Sequence, residues 1–471
     1  MAKRVAATGP VDGPWTLPDG WRWERLGSIG RWGSGGTPKA KSPEYYGGGI
    51  PWYKIGDLTN GILRGSADTI TQAGLKASSA KWVPADALLI AMYGSIGKLG
   101  LTTEPVTTNQ AIAFCIPDTI HVNLRYLFYF LLFRRYHLLS LGQGGTQQNI
   151  SQTILLDEPI ALPKVDEQTR IVARIDELFA EVDDGEAALT RARDDLATWR
   201  KALLKAAVTG ELTADWRAAN LPAESGANLS VRILADRASV AATRLGKRRD
   251  KAPEDVTPSQ QRLMWAAPDG WTWMQLGTFS FVTKLAGFEY TKFVQYDDDG
   301  DLRVIKAENA GLQGFKKTQY SRIKSSSVTE LTRSRLHGGE LLMVFVGAGT
   351  GNVAIVPDGE EFFLGPNIGM MRVETDIVSP RYVELFLRSP VGKALATAAM
   401  KAVAQPSLSM GTIRQIPILL PPAAEQEEIL RRLEHALLAT TDCVTDIRDQ
   451  QTYAATLRQS ILAAAFRGDL A

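Results

Sequence analysis

The chain has 471 residues, 45% of them hydrophobic and 22% charged, and a formal net charge of +2. That composition is the composition of a soluble, folded protein of about three domains and excludes a disordered or collagen-like chain. Two cysteines, Cys115 and Cys443, make neither a disulfide framework nor a zinc set, and the longest apolar run, residues 126–133, is far too short to span a bilayer. With no apolar signal core in residues 1–10, a cytoplasmic protein with no membrane partner is expected.

Residues 1–14 read as a flexible N-terminus, and residues 15–165 as a first globular domain of net charge near +5, counted from residue 1. It opens on Pro18-Asp19-Gly20-Trp21-Arg22-Trp23, then Leu26-Gly27. Short alternating segments broken by Gly, Pro and Asn give it a mixed α/β character. Residues 87–93 read as a strand followed by a glycine turn, and residues 126–133 as a helix packed by its aromatics.

Residues 166–212 carry a heptad pattern. Ile171, Ile175, Leu178, Val182, Leu189, Leu196, Trp199 and Leu203 fall on a 4,3 spacing, with Gly185 and Ala192 at intervening seam positions. That spacing puts one apolar stripe along a long helix, the seam of a coiled coil. Asp166 is placed to cap it and Gly210 to end it. About 45 residues of helix reach roughly 65 Å. An ordinary amphipathic core helix seldom sustains so many heptads.

Residues 213–264 change character and read as a linker. Residues 228–246 have a helical pattern, residues 247–251 form a charge run, and residues 253–261 look flexible. A second globular domain, residues 265–420, then opens on Pro268-Asp269-Gly270-Trp271-Thr272-Trp273 and Leu276-Gly277, the opening of the first repeated at an offset of 250. Residues 340–346 are its matching strand candidate and residues 382–387 its matching helix. Asp299-Gly300 reads as a hairpin turn between residues 293–296 and 302–306.

Residues 421–471 repeat the long helix. Glu425-Gln426 falls 258 residues after Glu167-Gln168, and the register holds through Arg458 over Arg200 to Gly468-Asp469-Leu470 over Gly210-Glu211-Leu212. The second seam is Ile429, Leu433, Ala436, Thr440, Cys443, Ile447, Ala454, Leu457 and Ile461. A repeat of this length makes the chain two similar halves, each a globular domain followed by a long helix. The helices are acidic, with net charges near −4 and −3, so phosphate binding belongs to the globular parts.

Motifs of catalysis begin and then fail. Gly94-Ser95-Ile96-Gly97-Lys98 resembles a phosphate loop, but Met92 and Leu99 stand where it needs Gly and Ser or Thr. Asp297, Asp299, Asp301 and Glu308 have calcium-loop spacing, but Leu302 occupies the obligatory glycine position. Pro421-Pro422 lacks the flanks of an amino-methyltransferase motif, and His121, His137, His337 and His435 are scattered. No catalytic residue and no metal site is expected.

What remains is loop chemistry suited to DNA. In the first half the candidates are Lys39, Lys41, Tyr45, Tyr46, Lys54, Tyr93, Lys98, Asn109, and the loop residues Gln147, Gln148 and Asn149. In the second half they are Lys284, Tyr290, Lys292, Lys306, Asn309, Lys316, Lys317, Asn352, Asn367, Lys401 and Gln405. Lysines neutralise phosphates, glycines let backbone approach a duplex, and Gln and Asn pair with adenine edges.

At this point the chain resembles the specificity subunits of type I restriction-modification systems, over residues 15–471. Gly35-Gly36-Thr37-Pro38, Tyr45-Tyr46-Gly47-Gly48, Ile50-Pro51-Trp52 and Ile55-Gly56-Asp57-Leu58 carry the resemblance in the first domain, and the second domain departs from that motif. The Leu-Pro-x-x-x-Glu-Gln entries at residues 162–168 and 420–426 carry it at the helices, as do the exits at residues 205–212 and 463–470.

The resemblance implies an α+β fold. Two repeated mixed α/β DNA target-recognition domains would be separated by two long helices forming an antiparallel coiled coil, pseudo-two-fold symmetric. It implies double-stranded DNA as ligand, with each domain reading half of a bipartite target. Two methyltransferase subunits would bring S-adenosylmethionine, and restriction subunits, where a system has them, ATP and magnesium; the chain itself would bind no cofactor. From the residues alone, a DNA-binding scaffold with coiled-coil arms and no modification partner is the other reading.

Overall fold

Apolar residues three and four apart, acidic first turns and closing glycines build the two longest elements of the computed structural model, Val165–Thr209 and Ala423–Arg467, each 45 residues long. Gly210 and Gly468 follow them at φ +86° and +93°, the left-handed conformation that ends a helix. The structure describes residues 11–142, 148–242, 251–347, 349–400 and 407–470. The chain forms two compact units, residues 1–191 with 447–471, and residues 192–446. Each holds one globular region and a part of both long helices.

In the first unit a five-stranded sheet runs in the order Gly30–Ser34, Ile112–Pro117, Leu88–Ala91, Leu99–Leu101, Gly61–Ile62. Its centre is buried on both faces. Leu88 and Ile90 pack with helix Leu124–Phe133, while Leu89 and Ala91 face Tyr53, Leu58 and Phe114. A strand buried on both faces reads as a continuous apolar run, which is why residues 87–92 do not alternate. A short pair, Arg22–Arg25 with Pro159–Leu162, closes the region against the long helices.

The second unit repeats the plan. Its sheet runs Ser280–Lys284, Ile368–Val373, Leu341–Val344, Val353–Ile355, and Thr272–Gln275 pairs with Pro417–Leu420. A second sheet runs Ser321–Ile323, Leu302–Ile305, Phe362–Leu364, Arg335–Leu336, and Ile305, Phe362 and Leu364 pack in one apolar cluster with Leu342, Val344 and Met370 of the first. The expected hairpin about Asp299-Gly300 does not form. Residues Gly287–Phe293 are helical, with Glu289 accepting from Ala286 N at 3.0 Å, and Leu302–Ile305 pairs instead with Ser321–Ile323 and Phe362–Leu364.

Residues 213–264, read as a linker with a helical stretch, are packed against the second globular region over part of their described length. Helix Gly226–Ala242 buries Leu229 and Ile233 against Trp271, Met274 and Leu276. Arg237 donates to the carbonyls of Gly277 at 3.1 Å and Thr278 at 2.7 Å, covering the open C-terminus of helix Leu276–Phe279. Asp236 accepts from Thr375 Oγ1 at 2.7 Å and Asp376 N at 2.9 Å, and these bonds hold its carboxyl below the usual range. Farther on, Gln260 is buried and donates to Leu395 O. Polar and apolar partners too far away in sequence to be seen locally seat this segment on the second unit.

The helix pairing is antiparallel. In the first unit Asp183 and Glu186 meet Arg458, and in the second Leu212 O accepts from Arg432 at 3.0 Å. Of the seam, Ile171, Ile175, Val182, Ile429, Leu433 and Ile461 are buried; Leu178, Leu189, Leu196, Leu203, Ile447 and Leu457 are half-buried. Trp199 and Cys443, expected on the seam, are exposed. The buried seam residues lie where the helices also meet the globular cores; away from them, two helices bury only the edge each turns to its neighbour. No described helix is long and apolar enough to cross a membrane.

Candidate nucleic-acid interface

One end of each main sheet collects loops from distant parts of the chain. In the first unit strand Gly30–Ser34 ends there, Leu88–Ala91 ends there, and Ile112–Pro117 and Leu99–Leu101 begin there. The loops that leave this rim are tied by backbone bonds. Gly94 N donates to Gln148 O at 3.0 Å, Ile150 N to Met92 O at 3.0 Å, and Met92 N to Ala111 O at 2.8 Å. Tyr93 bridges Asn149. The Gly35-Gly36 turn packs on residues 108–109 so closely that a Cβ at Gly35 would lie 2.1 Å from Thr108 O, a place only glycine fills.

The rim therefore brings together Tyr93, Asn109, Gln148 and Asn149. Gln148 is exposed and Tyr93 is 46% exposed, while Asn109 uses its Oδ1 to accept from Ala111 N at 3.2 Å. Gln110, outside the sequence candidates, is exposed beside them and shares a hydrogen bond with Thr37. Its signal in the sequence was an Asn-Gln pair between two strand patterns. Lys39 and Lys41 are exposed and, among the described residues, have no ion pair. Tyr45 is half-buried, and Tyr46 spends its hydroxyl on Pro38 O at 2.7 Å. Lys98 is half-buried and reaches Ile55 O at 3.4 Å.

The Lys54 ammonium pairs with Asp68 at 2.7 Å, both side chains being partly exposed, and lies over the Trp52 ring. Gln147 lies outside the described residues.

The second unit has the corresponding rim. Strand Ser280–Lys284 ends at it, with Lys284 opposite Gly369, and Leu341–Val344 ends with Val344 opposite Ile368. Val346 bridges Ser407 where Tyr93 bridges Asn149 in the first unit. Lys284 is exposed with its ammonium over the Phe345 ring. Asn367 is exposed at φ +64°, a left-handed turn that asparagine tolerates. Asn352 also lies in a rim loop, but donates to Ala310 O at 3.2 Å.

The other candidates group around the second sheet. Tyr290 bonds Tyr296 at 3.2 Å, and that bond, with burial, raises its pKa. Lys306 bonds Ser321 Oγ at 2.6 Å and covers the Tyr296 ring. Lys292, Lys316 and Lys317 are exposed. Asn309 is a correction: it is buried, accepts from Lys306 N at 2.8 Å and donates to Lys316 O and Thr318 Oγ1, so it shapes a turn and has no group to offer a base. Lys401 and Gln405 lie outside the described residues.

Each globular region is held to a long helix by the same joint, at the end of its main sheet opposite the rim. Gln168 is fully buried at the start of the first helix; its Nε2 donates to His121 O at 2.9 Å and Pro163 O at 3.0 Å, and its Oε1 accepts from Asn123 N at 2.8 Å. Gln426 does the same with Ile377 O, Pro421 O and Ser379 N. Asn123 and Ser379 are the N-cap residues of the aromatic helices Leu124–Phe133 and Pro380–Arg388. Trp21 Nε1 donates to Glu167 at 2.9 Å, and Trp271 Nε1 to Glu425 at 2.8 Å. Tyr126 and Tyr382 donate their hydroxyls to Ala161 O and Leu419 O, and burial raises both phenols' pKa values. The Glu-Gln entry of the sequence is thus the hinge-pin of each domain.

Among the described residues no group of His, Cys, Asp and Glu is placed to hold a metal ion. The arrangement offers amides, exposed lysines and an aromatic on a braced rim, the chemistry of contact with bases and phosphates.

Comparison with known proteins agrees. The family model for the type I restriction modification DNA specificity domain matches twice, over residues 18–189 and 268–450. The chain is 23% identical over 461 residues to the EcoBI type I restriction enzyme specificity subunit of Escherichia coli, covering 98% of this chain and 88% of that one. To the EcoR124I/EcoR124II specificity subunit of the same species it is 32% identical over 161 residues, 33% of this chain and 40% of the other. Among solved structures, one from work on complex assembly and conformational transition of the type I R-M system superposes with a TM-score of 0.65 at 16% identity, covering 97% of this chain and all of that one. The HsdS subunit of Thermoanaerobacter tengcongensis superposes at 0.52 with 17% identity, covering 97% and 99%.

Proposed function

The chain belongs to the type I restriction-modification DNA specificity family, and from that premise we propose that it reads a two-part DNA target, one half-site with each rim, while the long helices set the gap. The observation that carries this is the pair of rims. They are the same ends of the same sheets, tied by equivalent bridges at Tyr93 with Asn149 and Val346 with Ser407, yet they present different side chains. Equal frames with unequal faces suit a split, asymmetric site.

In this reading the chain is a non-catalytic subunit working in the cytoplasm. Two methyltransferase subunits dock on the helices and domains and supply S-adenosylmethionine. Restriction subunits, where the host has them, supply ATP- and magnesium-dependent cleavage. Gln148, Asn149 and Gln110 reach base edges in the first half-site; Lys284 and Asn367 serve the second. Lys39 and Lys41 neutralise phosphates and carry no base information.

The test is to map methylated adenines in a host carrying Gln148→Ala with Asn149→Ala. The first half-site loses stringency by about 1–3 kcal/mol per lost bidentate pair, and the second is unchanged. If both half-sites change together, or if no methyltransferase co-purifies with the chain, the reading fails. Removing Lys39 and Lys41 lowers the slope of log K against log salt by up to about 2, with target choice intact.

A further inference from the structure

The two helix entries differ in one respect. Glu167 of the first has Trp21 as its side-chain donor and is half-buried. Glu425 of the second is 1% exposed and gathers three donors: Trp271 Nε1 at 2.8 Å, Thr213 Oγ1 at 2.7 Å and Arg217 Nη1 at 3.0 Å. These come from different places. Trp271 opens the second globular domain. Thr213 and Arg217 follow the end of the first long helix, and Glu425 sits in the first turn of the second.

Arg217 extends the cluster. Its Nη2 donates to Gly210 O at 2.5 Å, the carbonyl just past the first helix, and its guanidinium stacks over the Trp271 ring. Gly210 has no room for a side chain here, since a Cβ would lie 2.8 Å from Arg217 Nη1 and 2.9 Å from Pro268. Nearby, Arg432 of the second helix grips Asp215 at 2.6 Å and Leu212 O at 3.0 Å. A buried carboxylate left without its cation is strongly destabilising, so this cluster has a single satisfied arrangement.

We propose that Glu425, Trp271, Thr213 and Arg217 form a three-way clasp that fixes the second recognition domain at one angle to both long helices and so makes the DNA gap length strict. The proposal rests on the two-half-site reading. These are positioning residues and touch no DNA. An arginine is required because one fork must reach both Glu425 and Gly210 O; a lysine reaches only one of them.

The test uses the full chain assembled with its methyltransferase subunits. Methylation is measured on duplexes that carry the parental half-sites with the parental gap, one pair fewer and one pair more. The readout is the ratio of the parental gap to the altered gaps. Arg217→Met lowers that ratio about tenfold, the factor that about 1.4 kcal/mol represents. Arg217→Lys lowers it less, and Trp271→Phe, which keeps the ring and loses one donor, covers the case in which Arg217→Met does not fold. Half-site sequences stay as in the parent. A ratio unchanged in Arg217→Met and Trp271→Phe, or methylation falling equally at all three gaps, overturns the clasp. A parent chain whose target has no gap overturns the underlying reading instead.

Discussion

The first unit and the second fasten their globular regions to the long helices with the same bonds, but brace the helices on each other with different ones. Gln168 and Gln426 make matching sets of three bonds, and the strand pairs Arg22–Arg25 with Pro159–Leu162 and Thr272–Gln275 with Pro417–Leu420 run in matching register. Between the helices, the first unit uses Arg458 with Asp183 and Glu186. The residues that correspond at the 258 offset are Arg200, Thr441 and Val444, which cannot repeat that pairing. The second unit uses Arg432 with Asp215, and Arg217 with Glu425.

The difference teaches which contacts are replaceable. The joint bonds end on backbone groups whose positions are set by strand register, so only one side chain of one length serves. The braces are ion pairs between side chains, whose partners can change from one unit to the other; in the second unit Arg217 and Arg432 are tied further, to the carbonyls of Gly210 and Leu212.

The harshest way to break this comparison is Gln168→Leu beside Gln426→Leu. Each strands a buried N–H and two carbonyls, and each costs on the order of 4 kcal/mol. Urea unfolding of the two variants is expected to show equal losses; a loss in one alone means the joints are not equivalent. Next comes Leu229→Ala. Among the described residues the first unit has no helix in the place of Gly226–Ala242, so a cost of about 3 kcal/mol should appear by hydrogen exchange in residues 192–446 and leave residues 15–165 protected as before.

Tyr126→Phe and Tyr382→Phe sharpen the comparison gently. Each removes one buried hydroxyl bond, about 1 kcal/mol apiece, and thermal denaturation should place the two within a few tenths of each other. The smallest effect is in acid. Hydrogen bonds from Arg431 and Arg432 hold the Glu428 carboxyl down at about 2. A depressed folded pKa gives stability that is complete above the ordinary carboxylate value and is lost as pH falls through about 2. Arg431 is largely exposed, so the loss is under about 1 kcal/mol. The stability difference between the parent and Glu428→Gln should vanish across that window. A difference that grows in acid would reverse the sign.

The sequence by itself determined the two long helices, the twofold repeat, the mixed α/β class of each domain and the family. Heptad spacing, closing glycines and the Glu-Gln entries are local patterns, and local patterns survive without knowledge of the fold. Only the tertiary structure decided which candidates share a surface. Tyr93 meets Asn149, and Met92 meets Ala111, because strand ends from separate parts of the chain converge on one rim. It also decided which candidates have partners within the chain. Lys54 pairs with Asp68, Lys306 is held by Ser321, and Asn309 is enclosed by its own turn. Residues 226–242 dock because Leu229, Ile233 and Arg237 find partners on the second domain. Trp199 keeps an exposed face because a two-helix pair has only one inside edge. A side chain's type is written in the sequence, but whether its charge or hydrogen-bonding groups remain free depends on neighbours that only folding supplies.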